Sequence, residues 1–363
     1  MSALQGTPSE ISWFSALCDD DYEYLGVADP ALKSSLAHCR DIVLRAEKGG
    51  FDNILLPSGY ALGIDSVAFA SAVAPLLNRI QLLVAVRCGE MWPPQLARQL
   101  ATLNDMLDGR LTINIISSDL PGETLESAPR YTRTLETMQI LKDLLAGKHV
   151  AHKGEFFNLD LDAPRLTKTP RNTPFYFGGL SNDAREVAAK AADVFLMWPD
   201  QTENLRVILD DMRARARKYG RTLRFGYRVH VIVRESEAEA RAYTRKLMSK
   251  LDPETGDAIR KSSLDASSFG VRRQAEMRDE ADADGFVEDN LWTGIGRARS
   301  GCGAAIVGDP DQVLAKLEVY KELGFDAFIL SGYPHAQECD LFARYVLPRI
   351  NHAPLFETFS LAK

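Results

Sequence analysis

FGYRVHVIVRES, residues 225–236, sets an arginine and a histidine two residues apart inside what otherwise reads as a buried β-strand. Side chains alternate across a strand, so Arg228, His230 and Ile232 share one face, and Tyr227, Val229, Val231 and Val233 the other. The valine face suits packing against helices. The basic face needs an interior that offers a partner, because an unpaired buried arginine is very costly. Two arrangements meet that need. One is a structural ion pair with an internal Asp or Glu; the other is an anion site at the mouth of a barrel, filled by a substrate or cofactor.

Working outward, seven further strand-like runs surround this one: ISWFSAL (11–17), DNILLP (52–57), IQLLVAV (80–86), LTINIIS (111–117), PFYFGG (174–179), DVFLMW (193–198) and DAFILSG (326–332). Amphipathic helical patterns lie between most of them, several closed by a glycine stop. Strand then helix, repeated, implies parallel strands joined by right-handed crossovers. Eight such units in one chain fit a (β/α)8 TIM barrel better than the alternative, an open doubly wound sheet. The near-continuous apolar strands agree with a sheet covered on both faces. One barrel domain over residues 1–363 is the expectation. Residues 252–290, DPETGDAIRKSSLDASSFGVRRQAEMRDEADADGFVEDN, fall outside the repeat; long and charged, they read as a mobile loop able to cover a site.

The totals narrow the function classes. The chain has 363 residues, 45% of them apolar, with a net charge of −7 and no polybasic run, so neither nucleic acid nor an anionic membrane is expected as a partner. The five cysteines, Cys18, Cys39, Cys88, Cys302 and Cys339, are widely spaced, which points to free thiols in a reducing cytoplasm. The start, MSALQGTPSE, has no leader pattern, and no window is long and apolar enough to span a bilayer. GIGRARSG has the wrong spacing for a dinucleotide fingerprint, and Walker A and GxSxG motifs are absent. His149 and His152 lie in HVAH without acidic partners at fixed spacing, so no metal site is expected.

Candidate site residues cluster at strand ends. SGYPH (331–335) follows the last strand and brings Tyr333 and His335 to the loops where barrel enzymes keep their chemistry. LWTGIGRARSG (291–301) adds Arg297 and Arg299, and LMW delivers Trp198 to the same rim. Arg, His, Tyr and Trp converging suit an anionic head group beside an aromatic wall. In YFGGLSNDARE (176–186) a strand ends at Gly178-Gly179 and a helix starts near Ser181: either a phosphate cradle at a helix N-terminus or an ordinary serine-capped turn.

FGYRVHVIVRE, NLWTGIGRARSGCGAAIVGDP and LSGYPH together resemble the flavin-dependent alkanesulfonate monooxygenases of the bacterial luciferase-like superfamily. PPQLARQLATLNDMLDGRLTINIIS, PFYFGGLSNDA, YLG and RYTR (130–133) match the same pattern, over about residues 12–350. The resemblance implies a TIM barrel with insertions, and reduced FMN as co-substrate with O2, supplied by a separate NAD(P)H-dependent flavin reductase. It implies C–S cleavage of an organosulfonate to an aldehyde and sulfite, in a homo-oligomer, dimer or tetramer. By position it puts Arg228, His230, Arg299, Tyr333 and Trp198 in the active site with His335 beside them. It puts Ser117, Tyr131, Gly178, Gly179 and Ser181 by the flavin, and it makes the 252–290 excursion a closing loop that keeps water out. On this reading Arg228 and Arg299 hold the sulfonate, and His230 and Tyr333 assist proton transfer.

The sequence departs from that pattern where substrate and flavin would meet. A family histidine after the first strand is replaced in ALCDDDYEYLG, where Cys18 stands nearest. A family cysteine after the second strand gives way to Tyr60 and Leu62 in PSGYALGIDS. A histidine is lost near Ser127, and TGSD becomes Ser117-Ser118-Asp119. The implied substrate is therefore a polar or sugar sulfonate such as sulfoquinovose, with Asp19, Asp20, Asp21 and Tyr60 available to its hydroxyls. The alternatives are a luciferase-like monooxygenase acting on a non-sulfonate and a flavin-binding barrel without catalysis. A phospho-substrate aldolase or isomerase lacks its strand-end lysine here.

Overall fold

The computed structural model describes residues 4–168, 173–262, 264 and 268–355. Its strands run β1 (Leu4–Phe14), β2 (Asn53–Leu56), β3 (Gln81–Arg87), β4 (Leu111–Ile116), the β5–β6 hairpin (Val150–Lys153, Asn158–Leu161), β7 (Phe175–Gly178), β8 (Val194–Met197), β9 (Arg224–Val233), β10 (Phe286–Glu288), β11 (Leu291–Trp292), β12 (Ala305–Gly308), β13 (Ala327–Ser331) and β14 (Ile350–His352). Eight of them close in the order β1-β2-β3-β4-β7-β8-β9-β13 and back to β1, all neighbours parallel. These are the eight runs expected from the sequence. The closed ring rules out the open sheet.

Helices fill the crossovers: α1 (Leu36–Gly49), α2 (Ser66–Val73), α3 (Pro93–Met106), α4 (Ser127–Leu145), α5 (Asn182–Ala191), α6 (Thr202–Lys218), α7 (Glu237–Met248), α8 (Pro253–Lys261), α9 (Phe269–Asp279), α10 (Pro310–Leu323) and α11 (His335–Tyr345). Their boundaries follow local chemistry. Ser35, Asp65 and Ser181 cap α1, α2 and α5 with a side-chain oxygen, and Ser236 and Asp309 build capping boxes, each cap contributing about 1 kcal/mol. The alternation of β9 holds: Tyr227 faces outward onto Tyr320 of α10, ring centroids 4.3 Å apart, while Arg228 faces inward.

Two features differ from the sequence reading. The short run 305–308 is a further parallel strand outside the ring, β12, pairing the second half of β9 from Ala305↔His230 to Gly308↔Val233. The 252–290 excursion is not a bare loop: it carries α8, α9 and β10. Its helices are short and poor in aliphatic residues, so they lack the long apolar stripe by which a helix is read. They are held instead by polar anchors to the barrel's upper end. Gln274 donates to the Pro199 carbonyl at 2.6 Å and accepts from the Gly303 amide at 3.0 Å, and Arg273 reaches both oxygens of Asp200 at 2.8 and 2.9 Å.

Candidate active site

At the C-terminal end of the barrel, β9 and β13 run side by side with Ser331 level with His230. Arg228 is 2% exposed. Its Nη1 donates to the Val229 carbonyl at 2.9 Å and its Nη2 to Ser331 Oγ at 2.8 Å, and the guanidinium carbon lies 4.2 Å from the Phe14 ring centroid. Among the described residues no carboxylate forms an ion pair with it, so the structural ion pair that would make it a mere core charge is not found. Burial, together with the like charge of Arg299, pulls Arg228 down to about 10.

His230 is fully buried with both ring nitrogens engaged: Nε2 lies 3.2 Å from the Cys302 carbonyl and Nδ1 2.8 Å from Ser331 Oγ. A carbonyl only accepts, so Nε2 carries the proton and Nδ1 accepts from the serine hydroxyl. One consistent chain results: Arg228 donates to Ser331, Ser331 to His230, His230 to Cys302. Burial and the two nearby arginines push His230 well below the usual imidazole range, so the ring stays neutral.

Arg299 also stands over Phe14, at 5.3 Å, and donates to Tyr333 Oη at 2.6 Å; Cys18 Sγ is 3.9 Å and Asp19 Oδ2 4.0 Å from its guanidinium. Burial works against its charge, but Tyr333, Cys18 and Asp19 hold it above the usual arginine value. Arg297 is exposed and does not line the cavity described below. Tyr333 stacks on His230 at 5.5 Å and meets His335 edge-on at 4.9 Å, and burial raises its hydroxyl. His335 hands its amide and Nδ1 to Asp21, at 3.0 and 2.9 Å, while His38 Nε2 takes the other oxygen at 3.0 Å. Asp21 remains ionised despite its burial because His335 and His38 hold its pKa down. His335 Nε2 is buried without a partner.

Above this layer lies a cavity of about 370 Å³. Cys18, Tyr60, Trp198 and Arg299 line it with Asp19, Asp20 and Arg87, and Ile259, Ser262 and Leu264 of the excursion form part of its wall. Tyr60 is 65% exposed and belongs to the rim. α9 lies directly on Trp198: a Cβ at Gly270 would stand 2.9 Å from its ring. The excursion therefore forms part of the cavity wall and packs on Trp198, where the sequence reading expected a mobile loop able to cover a site. Asp21 corrects that reading. It was expected to face substrate hydroxyls, but it is fully buried and taken by two histidines, which need a carboxylate between them. A larger cavity, about 570 Å³, lies between α2 and α3 against β3, away from Arg228 and Tyr333.

Ser117, Tyr131, Gly178, Gly179 and Ser181 form a separate cluster at the ends of β4 and β7, three and two strands from β9. Gly178 is level with Leu196, so Gly179 sits beside the end of β8 that leads to Trp198. Gly179 has φ +155°, and a side chain there would collide with Ala184 at 2.6 Å and lie in contact with Tyr131 Oη at 3.5 Å. Ser181 Oγ accepts from the Ala184 amide at 3.2 Å, so both sequence readings apply: the serine is a cap, and the helix start beside it keeps free amides. Ser117 Oγ accepts from Thr134 at 2.7 Å. Phe14, Ser331 and Arg87 went unnoticed in the sequence. Their signal was position alone, since each ends a barrel strand.

Residues 18–327 match the luciferase-like monooxygenase family. The chain is 66% identical over 354 residues to a sulfoquinovose monooxygenase of Novosphingobium aromaticivorans, covering 95% of this chain and 98% of that one. It is 51% identical over 353 residues to a sulfoquinovose monooxygenase of Agrobacterium fabrum, covering 96% and 91%. A riboflavin lyase, solved with modified FMN and riboflavin, shares the fold at a TM-score of 0.78 and 16% identity, over 98% of this chain and 96% of that one.

Proposed function

The chain belongs to the luciferase-like monooxygenase family and is a flavin-dependent monooxygenase, and from that premise we propose that it takes FMNH2 from a separate NAD(P)H-dependent FMN reductase and cleaves the C–S bond of sulfoquinovose with O2. The products are sulfite and an aldehyde at the former sulfonate carbon. The observation that carries this reading is the buried Arg228, without a carboxylate partner among the described residues, sharing the Phe14 ring with Arg299, which lines the 370 Å³ cavity. A sulfonate is a permanent anion and supplies the missing negative charge. The two 51–66% identical relatives are named for that substrate.

The residues present fit a reduced FMN. Gly179, which has no room for a side chain, lets the backbone pass close to Tyr131 Oη and the first turn of α5, whose amides would hold the phosphate. Reduced flavin, once bound, supplies the electrons and activates O2. The chain's own groups do the rest. Arg228 and Arg299 orient the sulfonate over Phe14, and Trp198 walls the cavity. Tyr333 Oη accepts from Arg299, so its own proton is free to be donated to a developing oxyanion, and burial keeps it protonated. Asp21 holds Nδ1 of His335 and leaves Nε2 without a partner beside Tyr333. His230, with both nitrogens engaged, is a positioning residue for Ser331 and Arg228 rather than a proton shuttle. α8 and α9 exclude water.

The test is sulfite release in a mixture of the protein, a flavin reductase, FMN, NADH and one of several sulfonates. Sulfoquinovose is expected to be turned over with the highest kcat/KM. Oxygen-dependent turnover of a non-sulfonate with no sulfite from any sulfonate would overturn the reading.

A further inference from the structure

Arg87 ends β3 and is 4% exposed. Leu83, Ala85 and Arg87 share one face of that strand, and Leu83 packs inside the barrel with Phe14, Tyr176 and Ile329. Arg87 therefore stands at the mouth of the barrel, where it lines the 370 Å³ cavity and, with Glu90, also borders the 570 Å³ cavity between α2 and α3. β3 lies four strands from β9 in either direction, so Arg87 faces Arg228 across the site. Its only ion pair among the described residues is Glu90, with Nε 3.1 Å from Oε1, and that carboxylate is 39% exposed. Nη1, by contrast, is buried without a hydrogen-bond partner. Buried guanidinium donors left unpaired are costly and signal a missing acceptor.

The position says which acceptor. Arg87 is level with Ile116, next to Ser117, on the wall assigned above to the flavin and opposite the two arginines assigned to the sulfonate. A phosphate would occupy the start of α5. The remaining negative charge of reduced FMN is spread over N1 and the C2 carbonyl of its ring, whereas oxidised FMN has none there. We propose that Arg87 is a flavin-binding residue that donates to the anionic N1–C2=O edge of reduced FMN and gives the protein its preference for the reduced over the oxidised form. This rests on the flavin reading above.

The experiment is an anaerobic titration of the protein with oxidised and with dithionite-reduced FMN, followed by quenching of tryptophan fluorescence. Arg87→Met is expected to weaken reduced FMN by about tenfold or more while oxidised FMN moves by less than about threefold. Glu90→Gln releases Arg87 from its competitor and is expected to tighten reduced FMN severalfold. Equal weakening of both forms in Arg87→Met, or an effect confined to sulfoquinovose binding, overturns the proposal. Should Arg87→Met not fold, an unchanged reduced-to-oxidised ratio in Glu90→Gln overturns it. A wild-type protein that binds neither form overturns the flavin reading as well; one that binds both with an Arg87-independent ratio overturns this proposal alone.

Discussion

At the lower end of the barrel, Glu10 is fully buried and met on every side. Tyr176 Oη donates to it at 2.7 Å, Ser12 at 3.2 Å and Asn53 at 3.4 Å, and the Leu355 amide reaches its second oxygen at 3.1 Å. Asn53 in turn takes Thr112 at 3.0 Å. At the upper end, Arg228 is as deeply buried, yet it has no counter-ion among the described residues, and Arg87 Nη1, Arg299 Nε, Ser300 Oγ and His335 Nε2 find no partner. Both clusters are polar and interior. The lower one is complete; the upper one has donors and charge to spare. Burial of a charged group thus says little about function, and the unmet hydrogen-bonding capacity around it says much.

The upper cluster breaks first. Arg299→Ala removes a cavity cation and the donor that orients Tyr333, so sulfite turnover is expected to fall by a factor on the order of 10², with the circular dichroism spectrum retained. Near-normal turnover would mean that the cluster's charge is idle.

The lower cluster reports through pH. Burial raises the Glu10 carboxyl from 4.5 to about 7. The folded chain therefore holds a proton that the unfolded chain releases between those values. The resulting stabilisation is fully present below pH 4.5 and is lost as pH rises through about 7. Its size is roughly 3 kcal/mol. Urea unfolding at about pH 5 and about pH 8 should show that loss in the wild type and a flatter curve in Glu10→Gln. The same slope in both proteins would assign the pH dependence to other groups.

Ser331→Ala joins the two lessons at a smaller scale. It strands Arg228 Nη2 and His230 Nδ1 together, at a cost of about 1–3 kcal/mol in stability. Turnover should drop by about tenfold, with a higher KM for sulfoquinovose, and thermal unfolding and steady-state kinetics read the two effects separately. A stable variant with unchanged KM would remove Ser331 from the arginine's support.

How far the sequence spoke follows from the same contrast. All eight barrel strands were legible because long apolar runs bounded by turns leave few alternatives. Arg228 and His230 were legible because they violate such a run. Ser331, Phe14 and Arg87 violate nothing: a serine, a phenylalanine and a terminal arginine are ordinary where strands end, and only the closed ring brings them to one mouth. The helices at 253–261 and 269–279 were hidden for the opposite reason, since their anchors are polar contacts such as Arg273 to Asp200 and not an apolar face. Asp21 looked like one more solvated acid in DDD; its burial depends on His38 and His335, the latter 314 residues away.

The most direct measurement sets the two clusters side by side: initial rates of sulfite release from sulfoquinovose for Arg228→Ala and Glu10→Gln, under one reductase supply. The account predicts a loss on the order of 10² or more for Arg228→Ala and a rate within about twofold of wild type for Glu10→Gln. A folded Arg228→Ala that still releases sulfite at close to the wild-type rate would contradict it.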